Sequence, residues 1–576
     1  MFNNQPKGLY VLALSNTGER FGYYTMLAIL LLFLQAKFAF STATAGFIYS
    51  TFLALVYFMP MLGGIVADKW NFQKTVTLGI VVMFLGYLLM AVPTVRMATS
   101  SMVIMFGALL LIAIGTGLFK GNLQVMVGDL YNEPRYADKR DVAFSLFYMA
   151  INIGAMFAPS VTSGLLSYAL KAKGFVYDPA IPSICTKIVS GETPDADAMT
   201  TLNAYIGNHA ADFAGQTTEF ANAFIDAIST GYSYAFAVAC ASMVVSFLIY
   251  KFGYRTYRHV GGAPTAAGAK GGSAAPELTK EQTKSRIVAL LLVFTVVIFF
   301  WMVFHQNGMT LTKFAEVFTA TTTGSWTRIF FNVWALATVA ALVYALFAIF
   351  QGGKFTFGKL LAIFVALAAG VGIYVFYLYT PDTVSGIQPQ IYQQFNPFYV
   401  VALTPFSVAF FALLAKHKKE PSAPRKIGLG MLVAAFAFGF LCLSSLGLGV
   451  APTEGQGATL VSPNVLIVTY LFLTFAELLL SPMGISFVSK VAPPKYKGLM
   501  MGCWFGATAI GNYLVVIPAL LWNEIDVAVL WSILIVVCLL SALFIFSIMK
   551  KLETATADTP APKNADALET IEDDVI

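Results

Sequence analysis

Apolar stretches of 18 or more residues recur from one end of this 576-residue chain to the other. Each can cross the roughly 30 Å hydrocarbon core of a bilayer as a helix. Hydropathy places spans near 9–36, 44–67, 75–95, 101–129, 142–170 and 231–252. A second series follows near 286–318, 327–350, 357–380, 396–416, 426–449, 463–490, 497–522 and 528–550. The segments are too long and too continuously apolar for membrane strands, so the spans are helices, about fourteen of them. Composition agrees: 58% of the residues are hydrophobic and 11% charged, whereas a soluble domain carries about 25% charged residues. A soluble enzyme, a nucleic-acid-binding domain, a disordered scaffold and a disulfide-stapled secreted module are all excluded. So is a single-anchor receptor, because the hydrophobicity is spread over the whole chain.

Lysine and arginine placement sets the orientation. One set of connections holds Lys69 and Lys74, then Arg135, Lys139 and Arg140. The same set continues with Arg255, Arg258 and Lys280, with Lys416, Lys418 and Lys419, and with Lys550 and Lys551. The opposite set is poor in bases, and its longest member, about 171–230, is acidic (Asp178, Glu192, Asp195, Asp197, Asp212, Glu219 and Asp226). Both termini are therefore expected in the cytoplasm and the acidic loop outside. Glu19 and Arg20 within the first apolar run argue for a retained span rather than a cleaved signal.

The Gly/Ala/Pro-rich segment 253–285 reads as a flexible cytoplasmic linker. It divides a six-helix bundle, 1–252, from a second bundle, 286–551, that includes an extra hairpin at about 327–380. The acidic tail 552–576 reads as disordered. Two six-helix bundles joined by a cytoplasmic linker describe the major-facilitator architecture, an all-α integral membrane fold with two helices to spare. The five cysteines are scattered, with no metal spacing and no evident disulfide partner. No metal, cofactor or nucleic-acid partner is implied. No nucleophile–base pair or phosphate loop suggests an enzyme.

A charge near the bilayer midplane costs at least about 2.5–3.5 kcal/mol and persists only if paired, wet or functional. Glu19, Arg20, Lys120, His305 and Glu477 lie deep in expected helices. Asn16, Glu19 and Tyr23 share one helical face, and Arg20 and Tyr24 sit one step round from it. Such a stripe faces either a cavity or a partner helix. A buried pair that glues helices together is one reading; a substrate and ion site is the other. The first half holds an excess of positive charge in Arg20 and Lys120, and the second holds Glu477. Facing each other across a cavity, they would form a positive and a negative wall. A small zwitterion, an amino acid or short peptide, complements that arrangement.

At these residues the chain resembles the proton-dependent oligopeptide transporter family, a branch of the major facilitators. GERFGYY at 18–24 is similar to its first-helix signature, and GGIVADKWNFQK at 63–74 to the facilitator loop motif. GTGLFKGN at 115–122, FYMAINIGA at 147–155, FNP at 395–397 and the long run AELLLSPMGISFVSKVAPPKYKGLMMGCWF at 476–505 follow in family order. The resemblance implies uptake of di- and tripeptides by a multi-pass protein of a bacterial-type inner membrane, with protons as the coupled ion and lipid as the surround. A monomer is expected. The resemblance also implies roles. Arg20, Lys120 and Tyr57 would bind the peptide carboxylate, and Asn152, Asn396 and Glu477 its amino end. Tyr23, Tyr24, Trp301, Ser481 and Trp504 would complete the binding surface. Glu19 would take part in proton coupling, paired with Lys120 or Arg20, and Glu477 would be titratable too. Asp68 would serve gating.

Three positions depart from the family pattern. Asn16 stands where a first glutamate is usual, Leu27 where an arginine is usual, and His305 replaces the glutamate of the seventh helix. The latter two resemble a lost external-gate ion pair. His305 then either takes over coupling or is a neutral hydrogen-bonded histidine. The extra hairpin is expected to be peripheral and lipid-facing. A facilitator of nitrate, sugar or drug, or a non-transporting peptide sensor, remains an alternative.

Overall fold

The structure is a computed structural model, all helical among the residues it describes: 5–131, 133, 135–136, 140–260, 279–350, 355–493 and 496–557. In the first half, α1 (Lys7–Phe38), α2 (Thr42–Lys69), α3 (Phe72–Ala91), α4 (Thr99–Asp129) and α5 (Arg140–Lys171) come first. Two short helices, α6 (Ile181–Val189) and α7 (Ala196–His209), precede the long α8 (Thr217–Phe252). The second half opens with α9 (Lys280–Phe304), α10 (Thr310–Val317), α11 (Val333–Phe350) and α12 (Phe357–Tyr379). It continues through α13 (Phe395–Lys416), α14 (Ala423–Ser444), α15 (Pro463–Val491) and α16 (Lys497–Leu514) to α17 (Val516–Leu521), α18 (Val527–Ser547) and α19 (Met549–Ala557). Fourteen of these helical segments are long and apolar enough to cross a membrane, so the chain is a multi-pass membrane protein.

Local sequence sets the helix starts. Ser41 accepts from Thr44 N at α2, and Asn71 accepts from Lys74 N at α3. Thr279 and Gln282 form a reciprocal capping box at α9. Each cap satisfies a backbone donor that a helix terminus leaves free. The residues expected as the linker (253–285) and the tail (552–576) fall largely outside the described residues.

Two segments differ from their sequence reading. The span near 286–318 breaks at a 3₁₀ turn, His305–Gly308, between α9 and α10. Tyr49 of α2 packs against Gly308 so closely that any side chain there would collide with it. The loop near 171–230 is not irregular, since it carries α6 and α7 and the first turns of α8. Aromatic packing explains why: Phe175, Tyr205, Phe220 and Phe224 form one buried cluster.

Each half has its own core. In the first, α1 packs on α5 and α8, α4 on α2 and α3, and α3 on α8. In the second, α14 packs on α15 and α18, α9 on α16 and α18, and α13 on α15. The halves meet chiefly through α2 against α16 and α17, and through α5 against α13 and the 3₁₀ turn Pro389–Gln394. The α11–α12 hairpin lies at the edge. Its inner helix leans on α13 and α5, while Phe364, Leu367 and Val371 of α12 are exposed, as a lipid-facing surface would be.

Glycine permits the close crossing of α2 and α4. A Cβ at Gly117 would stand 2.5 Å from Met59 Cβ, and one at Gly63 would strike the Gly117 carbonyl. Gly107 on the same helix has open space around it. Gly117→Val should therefore cost about 1–3 kcal/mol through overpacking. Thermal unfolding of the detergent-purified protein, followed by tryptophan fluorescence, should show a clear drop in Tm, and Gly107→Ala should show none.

Candidate functional site

The first wall comes from α1, α2 and α4. Glu19 and Arg20 are buried on α1, with Glu19 at 0% exposure. Arg20 donates from Nε to Glu19 Oε2 and from Nη2 to Oε1, each at 2.5 Å. Adjacent residues on a helix point about 100° apart, so the long arginine folds back on its neighbour. The choice left open by sequence is thus resolved: Glu19 pairs with Arg20, not Lys120. The guanidinium also lies 4.6 Å from the Tyr23 ring centroid. Lys120, half-buried on α4, places Nζ 4.1 Å above the Tyr57 ring. It has no hydrogen-bond or ion-pair partner among the described residues.

The second wall is centred on α15. Glu477, 7% exposed, accepts from Asn396 Nδ2 at 2.8 Å and from the Tyr148 hydroxyl at 3.1 Å. Asn396 also donates to Thr474 Oγ1 at 3.0 Å. Both donors to Glu477 are neutral, and among the described residues no cation lies within ion-pair distance. Ser481 follows one turn later on α15 and is half-buried. Tyr24 and Tyr57 each lie within electrostatic reach of both Arg20 and Glu477. The two walls therefore address one shared region.

The remaining candidates surround it. His305 Nδ1 is 2.6 Å from Asn512 Oδ1, and its ring stacks on Trp301 at 4.9 Å between centroids. The Tyr57 ring is 6.2 Å away, and Lys120 is within electrostatic reach. Asn152 donates to the Tyr148 carbonyl on its own helix, at 3.0 Å. Tyr23 packs on Tyr24 and Phe52 in the first-half core. Trp301 and Trp504 are buried in the second-half core, Trp504 against Gly484 and Phe294. They form packing behind the walls as much as lining. Asn16 and Leu27 are buried on α1. The Asp68 side chain lies outside the described residues.

Sequence reading passed over three members. Tyr148 stands in FYMAINIGA one turn before Asn152, so its shared face with that asparagine was visible. Thr474 and Asn512 carried no such signal. A buried Lys313–Glu316 pair on α10 was also passed over, because it lay near the end of an expected span. No group of metal-binding side chains occurs among the described residues.

Removing one partner of a buried pair strands the other charge, at a cost of about 3–5 kcal/mol. Glu19→Gln should therefore destabilise the protein more than the double change Glu19→Gln with Arg20→Gln. Thermal unfolding of the two variants checks the order.

Comparison with known proteins gives the family and the fold. The family model described as the POT family matches residues 73–272 and 355–533. The chain is 24% identical to dipeptide and tripeptide permease B of Edwardsiella piscicida, over 90% of this chain and 87% of that protein. It is 25% identical to dipeptide and tripeptide permease A of Klebsiella pneumoniae, over 88% and 82%. Among solved structures, a mutant peptide transporter POT in complex with alafosfalin matches with a TM-score of 0.64 at 20% identity, covering 97% of both chains. A POT family transporter in complex with 5-aminolevulinic acid matches with a TM-score of 0.66 at 19% identity, covering 96% of this chain and 98% of that one. With the family model matched over well more than half its length, this chain belongs to the POT family.

Proposed function

We propose that this protein is a secondary-active transporter that imports di- and tripeptides by alternating access, coupled to protons. The observation that carries the proposal is the pair of unanswered charges. Among the described residues, Lys120 in the first half has a ring face and no ion-pair or hydrogen-bond partner, with Glu19 within electrostatic reach, and Glu477 in the second has neutral donors. A zwitterionic peptide would supply both missing partners, its carboxylate to Lys120 and its ammonium to Glu477. Tyr24, Tyr57, Asn152, Asn396 and Ser481 would position the backbone between them. Arg20, neutralised by Glu19, would bind a carboxylate once that pair loosens. The buried aromatic residues Tyr23, Trp301 and Trp504 would set the shape of side-chain pockets. The printed names of the relatives, dipeptide and tripeptide permeases, point the same way. The lysine and arginine bias of the loops puts both termini in the cytoplasm of a bacterial-type inner membrane. The end where α1 stops then faces outside.

Lys120→Ala and Glu477→Gln test the two walls. In proteoliposomes loaded with dialanine, each should cut counterflow about tenfold to a hundredfold, the effect of losing one charged hydrogen bond of roughly 1.5–3 kcal/mol. Unchanged counterflow in both variants would remove the two-wall site. Binding of dialanine without any counterflow by the parent protein would make it a sensor instead.

Glu19 and Glu477 are the proposed proton carriers. His305 is read instead as a hydrogen-bonded partner of Asn512, a reading supported by its ring facing an amide oxygen and stacking on Trp301 with no carboxylate at ion-pair distance among the described residues. His305→Gln should then keep the pH profile of dialanine uptake. A flattened profile would move the coupling role to His305.

A further inference from the structure

The α6–α7 segment is fastened to the first half. Ile181, Ile184, Cys185, Leu202 and Tyr205 belong to the first-half core. The Tyr205 hydroxyl accepts from Val176 N and donates to Val176 O. The connection between α14 and α15 is just as firmly fastened to the second half. Gly457 N donates to Val317 O at 2.9 Å, Val461 N to Phe318 O at 2.8 Å, and Ala320 N to Val461 O at 2.9 Å. These two stiff pieces meet at one carboxylate. Glu454 Oε1 accepts from Lys187 Nζ at 2.9 Å and from Asp195 N at 3.1 Å, and Gly455 N donates to Ser183 Oγ at 2.8 Å. The Glu454 side chain is 4% exposed, and among the described residues this is the one ion pair joining the halves. Beside it opens a cleft of about 230 Å³ whose walls include Gln35, Thr42, Tyr177, Lys187, Lys313 and Glu316.

We infer that the Lys187–Glu454 clasp is an outer gate latch: the α6–α7 cap holds the outer mouth shut, and the clasp must part each time the halves separate on that side. The inference rests on the transporter reading above. The physical argument is leverage. Cap and connection are each rigid on their own half, so the halves cannot part outside without breaking all three bonds. Glu454 is buried and Lys187 half-buried, so taking away one partner while the halves stay closed strands the other charge and disfavours the closed form. The position fits the sequence as well, since Leu27 and His305 stand where an ion pair between the halves would otherwise be expected.

The test reads gate opening directly. Thr42, 7% exposed, lines the cleft. Thr42→Cys in the full-length protein, in right-side-out vesicles, is labelled with a membrane-impermeant maleimide, and the rate is taken above that of the parent protein. Adding Lys187→Met should raise the rate about tenfold by shifting the population towards the outward-open form. Adding Glu454→Gln, which keeps an acceptor for Asp195 N, should give a smaller rise. A rate unchanged in both variants overturns the latch, whether or not the protein carries peptides. Dialanine counterflow is measured on the same preparations. If the parent shows none while the labelling rates still rise, the peptide-transporter reading falls and the latch stands.

Discussion

A charge held away from water must find a partner or a use, and this constraint shapes the centre of the molecule. Coulomb attraction and desolvation both grow as the local dielectric falls, so each buried ion demands an answer close by. Glu19 and Arg20 answer each other within one helix, at no cost in freedom to the rest of the fold. Among the described residues, Glu477 is answered by two neutral donors, and Lys120 by the face of Tyr57 and, at longer range, by Glu19. A fully neutralised pair can be sealed in packing for the life of the protein. A half-answered charge stays open to an incoming partner. The contrast separates a pair that must first loosen from two ions that can receive a partner directly.

The surrounding architecture keeps those half-answered charges apart. Lys120 rides on α4, which is pressed against α2 by the Gly63–Gly117 crossing, so Tyr57 and Lys120 move as one wall. Glu477 rides on α15, braced by α14 and by the first turn of α13, where Asn396 sits. Each wall is built on rigid helices of its own half. Only Tyr148 reaches across from α5 to hydrogen-bond Glu477. A relative movement of the halves thus changes the distance between the charges without rebuilding either wall, which is what an alternating site requires.

Much of this was legible from residues alone. The fourteen spans followed from hydropathy, because lipid leaves the backbone no option but helix. The stripe of Asn16, Glu19 and Tyr23 was legible because a two-turn polar face within an apolar helix has few explanations. The partner of Glu19 was not, since pairing with Arg20 depends on how one flexible side chain folds back. The break at His305–Gly308 was hidden for a different reason. It sits against Tyr49 of a helix far away in sequence, and periodicity carries no such information. The helices of the 171–230 segment were obscured by its acidic composition, which describes its connections and the wet face of α7. Ile181 and Ile184 of α6 and Tyr205 of α7, packed into the first-half core, are what fold them.

Closure on the outer side needs contacts that hold the mouth shut yet part at modest cost, because a carrier's alternate states must lie within a few kcal/mol of each other. Several contacts between the halves are of this kind, beside a charged one from Lys313 Nζ to Gln35 Oε1 at 3.3 Å. Ser160 donates to Gln394 Oε1, Gln388 donates to Ser163 O and Ser167 Oγ, and Gln393 donates to Ala28 O. These are neutral hydrogen bonds, each worth only about 0.5–1.5 kcal/mol net, since water replaces them when the halves part. They give register rather than strength. In the latch inferred above, the Lys187–Glu454 pair, with its carboxylate buried and its lysine half-buried, supplies the directional hold. Its charges regain hydration on separation, so its net contribution stays small while its loss from one side alone is costly. Neutral amides with one clasp can therefore replace an ion pair placed deeper, between α1 and the His305–Gly308 turn.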